Sequence, residues 1–135
     1  MKAFSLDTTC KTPIPRWPYQ AMAESILSRS YELSVRLVGT KAARAYNQNY
    51  RHKDYVPDVL AFPLDCSIGQ IILTPATITK KAPSFAMTAR QYTGFLFIHA
   101  CLHLDGYEHG HRMERAEKKY CAQFSVPHPN DTCKK

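Results

Sequence analysis

The stretch MTARQYTGFLFIHACLHLDG, residues 87–106, decides how the rest of the chain is read. Apolar residues recur through it at helical spacing and no proline interrupts it, which predicts a long helix over 87–104. Phe95, Leu96, Phe97 and Ile98 are expected in the core. Gly94 costs the helix a modest amount of propensity. Gly106 is placed as a stop, because glycine takes positive φ with little penalty. His99 and His103 lie four residues apart on this helix. They therefore differ by about 40° in azimuth and about 6 Å along the axis, so both imidazoles face one point. His109 follows on the segment that returns after Gly106 and is able to reach the same point.

Upstream, KAFSLD alternates like a short strand, and Pro13, Pro15 and Pro18 then break the chain. A helix is expected over Pro18–Arg29, with proline suited to the first turn. ELSVRLV, 32–38, alternates Leu33, Val35 and Leu37 against polar positions and reads as a strand. After Gly39, Thr40 is the expected N-cap of a helix over Lys41–Tyr50. DVLAFP, 58–63, reads as a strand closed by Pro63, LDCSIG as a loop, and QIILT, 70–74, as a second apolar strand. A weak helix broken at Pro83 precedes the long one, and another helix is expected over about His111–Phe124. The set has one clear strand-helix-strand unit. It predicts an α+β fold: a small mixed β-sheet packed with helices, with the metal site on a helix and the turn after it. Residues 1–135 are read as one domain with a loosely ordered tail over about 125–135.

The net charge is +7, from eighteen Lys and Arg against eleven Asp and Glu. A small basic domain suits a polyanionic partner such as nucleic acid, or is basic merely for solubility. The five cysteines are odd in number and form no CxxC pair, unlike a secreted disulfide framework. The first residues carry no apolar h-region, and no apolar run reaches the roughly 18 residues of a membrane span. The expectation is a soluble cytoplasmic protein with reduced thiols.

Three neutral imidazoles leave one tetrahedral position of Zn²⁺ open, the arrangement of catalytic rather than structural zinc sites. A water in that position has its pKa lowered to about 7. His99, His103 and His109 are thus the expected ligands of one Zn²⁺. His52, His111 and His128 are expected at the surface, with His111 a minor candidate to support a ligand. The spacing H-x3-H-x5-H also belongs to metzincin proteases, in which Glu follows the first His as general base. Here that position is Ala100, whose methyl takes no proton, and the peptidase reading recedes.

HACLHLDGYEH, 99–109, resembles the HGxLHLxGYDH signature of the YbeY endoribonucleases. NQNYRHKDYVPDVLAFP, 47–63, is similar to that family's NxxYRxKDYPTDVLSFP, and IGQIIL, 68–73, to its LGDIVI strand. Met113 and Glu117 fall where the family has MxxxE. The matches stand in one order and cover roughly residues 32–120. Ala100 stands for Gly, Glu108 for Asp, Ala61 for Ser, Gln70 for the strand Asp, and Val56-Pro57 for Pro-Thr. The chain is also short for the family.

The resemblance implies a cytoplasmic, zinc-dependent, single-strand-specific endoribonuclease. It would act in 16S rRNA 3′-end maturation and ribosome quality control. Single-stranded RNA or rRNA, the ribosome and small-subunit assembly factors would be its partners, with no membrane involved. It also implies Arg51 as the RNA-contacting catalytic residue beside the metal. From residue chemistry, Arg51 and Lys53 offer a fork and a point charge for phosphate. Tyr50, Tyr55 and Tyr107 offer faces for unpaired bases, although each tyrosine alone is more often packing. Glu108, Asp54 and Asp58 are the candidate general bases, or orienting partners for a ligand imidazole. The nucleophile, water or the adjacent 2′-OH, stays open. Two other readings remain: a metallohydrolase on a non-RNA substrate, and a non-catalytic, zinc-stabilised RNA binder at the ribosome.

Overall fold

A computed structural model describes residues 1–129. Four strands form one sheet: β1 Ala3–Thr8, β2 Glu32–Leu37, β3 Val59–Asp65 and β4 Ile68–Leu73. The helices are α1 Tyr19–Ile26, α2 Thr40–Arg51, α3 Pro75–Lys81, α4 Ala89–Leu104 and α5 His111–Phe124, with a 3-10 turn over Ala82–Phe85. The strand order is β1-β2-β4-β3. β1 and β4 run parallel to β2, and β3 runs antiparallel to β4 at the edge. This is the mixed α+β sheet that the alternating patterns imply.

The period of two along each strand sorts side chains between two cores. Leu33, Val35, Leu37, Ile71 and Leu73 join the main core with residues of α1, α4 and α5. Leu60, Phe62 and Ile72 point the other way and meet Val38 and Ala43, the latter from α2. Helices therefore cover both faces, and central β4 reads as the continuous apolar run IIL because neither of its faces is wet.

The expected elements are present with shifted edges. Pro63 does not close β3, which continues to Asp65. β3 is an edge strand, where a residue without an N–H is tolerated. LDCSIG is accordingly not a loop: its ends are strand, and the turn is held by Cys66 N–H donating to the Asp65 carboxylate at 2.6 Å. Thr40 is the first residue of α2 rather than its cap; Gly39 takes the cap position.

α4 begins at Ala89 because Thr88 makes a complete capping box. Its Oγ1 accepts from Gln91 N–H at 3.1 Å, and its own N–H donates to Gln91 Oε1 at 2.9 Å. The expected loose tail holds for none of the buried positions before residue 130: Val126 and His128 are packed away from solvent. The rest of that tail, with Cys133, lies outside the described residues. Cys10, Cys66 and Cys101 are free thiols. Among the described residues, no helix is long and apolar enough to cross a membrane.

Candidate metal centre and cleft

Helix α4 carries His99 and His103 on the face away from its core residues Phe97, Ile98, Cys101 and Leu102. Gly106 ends it at φ +98°, and Tyr107 N–H donates back to the Leu102 carbonyl at 3.0 Å. This closure turns the chain and brings His109 over the helix end. One ligand atom from each of His99, His103 and His109 lies within 4.8 Å of the others. Ring centroids are 4.6, 4.8 and 5.6 Å apart.

The hydrogen bonds fix which nitrogens face inward. His99 Nδ1 meets the Glu117 carboxylate at 2.6 Å, and His103 Nδ1 meets the Tyr107 carbonyl at 3.1 Å. Both partners are acceptors, so both Nδ1 atoms donate and both Nε2 atoms carry lone pairs. Those two lone-pair nitrogens stand 3.1 Å apart. Two acceptors at that distance repel unless a cation lies between them. A tetrahedral zinc with bonds of about 2.0–2.1 Å sets its ligand nitrogens roughly 3.3 Å apart, so this pair fits such an ion, and the His109 ligand atom lies within 4.8 Å of both. Burial, with His99 and His109 adding to it, pushes His103 below the ordinary histidine range. That favours the neutral imidazole a metal needs.

Glu117 comes from α5 and is buried. Its second oxygen accepts from His128 Nε2 at 2.9 Å. Burial alone would raise this carboxyl, but the bonds from His99 and His128 outweigh it and hold the group below its usual range. Phe95 packs between the two histidines, 5.8 Å from the His99 ring and edge-on at 5.4 Å from His128.

The cluster opens into a cleft of about 630 Å³. Arg51, Tyr55, Asp58, Lys81, Tyr107 and Glu108 line it with the three histidines. Arg51 ends α2, with its guanidinium donating to Tyr55 Oη at 3.3 Å and to Asn47 Oδ1 at 3.5 Å. Asn47 is fully buried, and its Nδ2 donates to the Tyr55 carbonyl at 3.1 Å. This side chain therefore ties Arg51 and the loop after α2 to one another.

Residues 4–125 match the family model described as Endoribonuclease YbeY. The chain belongs to the YbeY endoribonuclease family. Relatives bearing that name include a Pseudomonas putida protein, 32% identical over 127 residues that cover 84% of this chain and 80% of the relative. One from Thiobacillus denitrificans is 30% identical over 133 residues, covering 91% and 87%. The solution structure of TM1509 from Thermotoga maritima shares the fold, with a TM-score of 0.65 at 24% identity over 97% of each chain.

Within this YbeY family framework the expected residues separate. Arg51, His99, His103 and His109 share the cleft, as do Tyr55 and Tyr107. Lys53 is not among the residues lining it, and Lys81, unremarked in the sequence, takes the second basic place. Tyr50 is not among the residues lining the cleft, although it stays 61% exposed. Its ring lies 4.8 Å from Phe62 and 6.2 Å from Tyr46, against the sheet.

Asp54 is drawn off by Arg44 at 3.1 Å and Gln48 at 2.8 Å. Asp58 is committed to Tyr92 Oη at 2.8 Å, Val59 N–H at 2.8 Å and Lys81 at 3.5 Å. His128 corrects the surface expectation: it is 3% exposed and bonded to Glu117. His52 is exposed as expected, as is His111 at the start of α5. The signal for Glu117 was its place in the MxxxE pattern; nothing local announced His128.

Proposed function

We propose that this chain is a zinc-dependent, single-strand-specific endoribonuclease, folded as one catalytic domain. It would act in the cytoplasm on the 3′ end of 16S rRNA and in ribosome quality control, in company with the ribosome or its small-subunit assembly factors. The observation that carries the reading is the pair of inward lone-pair nitrogens 3.1 Å apart, with His109 beside them, in a cleft that also holds Arg51. His99, His103 and His109 would hold one Zn²⁺. When bound, the ion supplies Lewis acidity to a phosphodiester oxygen.

The protein's own groups account for the rest. Arg51 offers a planar fork to the scissile phosphate, and it is braced by Tyr55 and Asn47. It offsets charge that grows on the phosphoryl oxygens toward the transition state. Glu108 is the carboxylate of the cleft with no hydrogen-bond or ion-pair partner among the described residues, whereas Asp58 is held by three donors. Glu108 is thus placed to take a proton from the attacking hydroxyl, be it water or the 2′-OH. The cleft lacks a carboxylate after His99, where Ala100 stands, and this favours phosphodiester over peptide chemistry.

The test is incubation of the protein with unstructured RNA and with casein, each with and without chelator. Zinc-dependent RNA cleavage without proteolysis is expected, and Arg51→Gln should lower the rate by about 10²-fold while leaving zinc content unchanged. Zinc-dependent proteolysis without RNA cleavage would overturn the reading.

A further inference from the structure

Outside the cleft, the charged residues of α5 are sorted by sign. Arg112, Arg115 and Lys119 recur at intervals of three and four residues, so they share one helix face about 10 Å long. All three are exposed. None has a carboxylate partner within ion-pair distance among the described residues. The helix's own acids are used elsewhere: Glu114 pairs with Lys118 at 3.7 Å, and Glu117 serves His99 and His128. An ordinary solvated helix face intersperses both signs, and this one does not.

The three cations line a recess of about 240 Å³ together with Tyr107, Ala116 and Tyr120, and among the described residues no carboxylate lines it. Lys119 Nζ sits 5.1 Å above the Tyr120 ring. The recess is not isolated. Tyr107 lines the metal cleft, the hollow over residues 105–112 and this recess, and Arg112 lines the last two. A surface track therefore runs from Arg51 and Lys81, past the three histidines, to Arg112, Arg115 and Lys119.

We propose that the Arg112–Arg115–Lys119 face, with Tyr107 and Tyr120, is a second binding site for the same strand. It would hold the phosphates and an unpaired base that flank the bond in the cleft. The site deepens the nuclease reading and rests on it for the identity of the strand. Phosphates pair with the cations, and a base stacks on an aromatic face without regard to sequence. Glu108 and Asp105 on the intervening loop repel phosphate, so phosphate contacts are made at the two ends of the track, and the loop contributes only the Tyr107 ring.

The test uses the zinc-loaded full chain and a fluorescein-labelled 2′-O-methyl oligouridylate of about a dozen nucleotides, which keeps phosphates and bases but lacks a free 2′-OH. The triple variant Arg112→Gln/Arg115→Gln/Lys119→Gln is compared with Lys2→Gln/Lys11→Gln/Arg29→Gln, which removes equal charge from segments flanking β1 and β2. Each phosphate contact on a single strand adds about 0.7 to the slope of log affinity against log salt. The first variant should bind roughly tenfold or more weakly, with its slope reduced by about 2. The control should lose less than half of that.

If the two variants behave alike, or if the slope is unchanged, the α5 site is wrong, whatever else the patch attracts. Cleavage of plain oligouridylate by the wild type is measured alongside. Failure to cut with patch-dependent binding intact strikes the nuclease reading and spares this site; cutting with patch-independent binding does the reverse.

Discussion

A histidine ring binds metal through one nitrogen only if something decides which nitrogen is free. In this chain the decision for His99 is made by Glu117, and Glu117 is itself held by a residue far along the chain, His128. Losing the His128 donor leaves one carboxylate oxygen buried without a partner, which costs about 1–3 kcal/mol in such sites. It also frees Glu117 to rotate away from His99. Partners of this kind typically change metal affinity about 10–100-fold when removed.

His128→Phe, which keeps a ring against Phe95 but removes the donor, should therefore weaken zinc binding up to about tenfold in chelator competition. His128→Gln, whose amide can donate, should recover most of it. Wild-type zinc affinity in His128→Phe would mean the ring is only packing. At the same scale, Asp54→Asn should leave RNA cleavage within about twofold, since its carboxylate is occupied by Arg44 and Gln48, whereas Glu108→Gln should lower kcat by about 10²-fold or more. The three ligand positions and Arg51 were legible from spacing and motif. His128 was not, because a contact made by chain return eleven residues past Glu117 leaves no local periodicity.

At the level of elements, α4 has to be both a buried strut and a ligand platform, and Gly94 shows how its packing is set. A Cβ there would meet the Trp17 ring at 2.8 Å. Trp17 is fixed by its indole N–H on the Arg90 carbonyl at 2.8 Å and by the Arg90 guanidinium 3.9 Å above the ring. The proline-broken segment before α1 is thereby pinned to α4. Read along the helix alone, Gly94→Ala gains about 1 kcal/mol of propensity. Across the interface it forces the indole to move, and overpacking of this kind costs about 1–3 kcal/mol.

The packing term should win. Gly94→Ala is expected to lower the thermal midpoint, and a rise would show that Trp17 yields freely. The same contrast explains which elements could be read from sequence. Long periodic segments such as α4 and α5 were found nearly to the residue. The end of β3 was misplaced because its proline is harmless only on an edge strand, and edge position is a property of the assembled sheet.

For the whole molecule, the acidic groups buried in the main core set the alkaline limit of stability. Burial raises Tyr19 from 10.0 to about 12, with Arg90 opposing. Burial also raises Tyr92, with Asp58 adding to it, and raises the Cys101 thiol, with a smaller push from Asp105. For an acid whose folded pKa lies above its unfolded value, the folded state keeps the proton longer. The unfolded chain therefore releases protons first as pH rises, and stability falls in that window.

The contribution of these groups is complete below about pH 8, where Cys101, Tyr19 and Tyr92 are protonated in both states, and is lost progressively as pH climbs past 9.0 for the thiol and 10.0 for the tyrosines toward the folded values. Thermal midpoints measured from pH 8 to pH 12 should hold level at first and then drop steeply over the upper half of that range. Tyr92→Phe should flatten the drop, because it removes one titrating group, while costing about 1–2 kcal/mol at neutral pH through the lost bond to the Asp58 carboxylate. A profile for Tyr92→Phe parallel to the wild type throughout would show that the alkaline limb belongs to other groups. The neutral-pH loss would then report only on how α4 is tied to the start of β3.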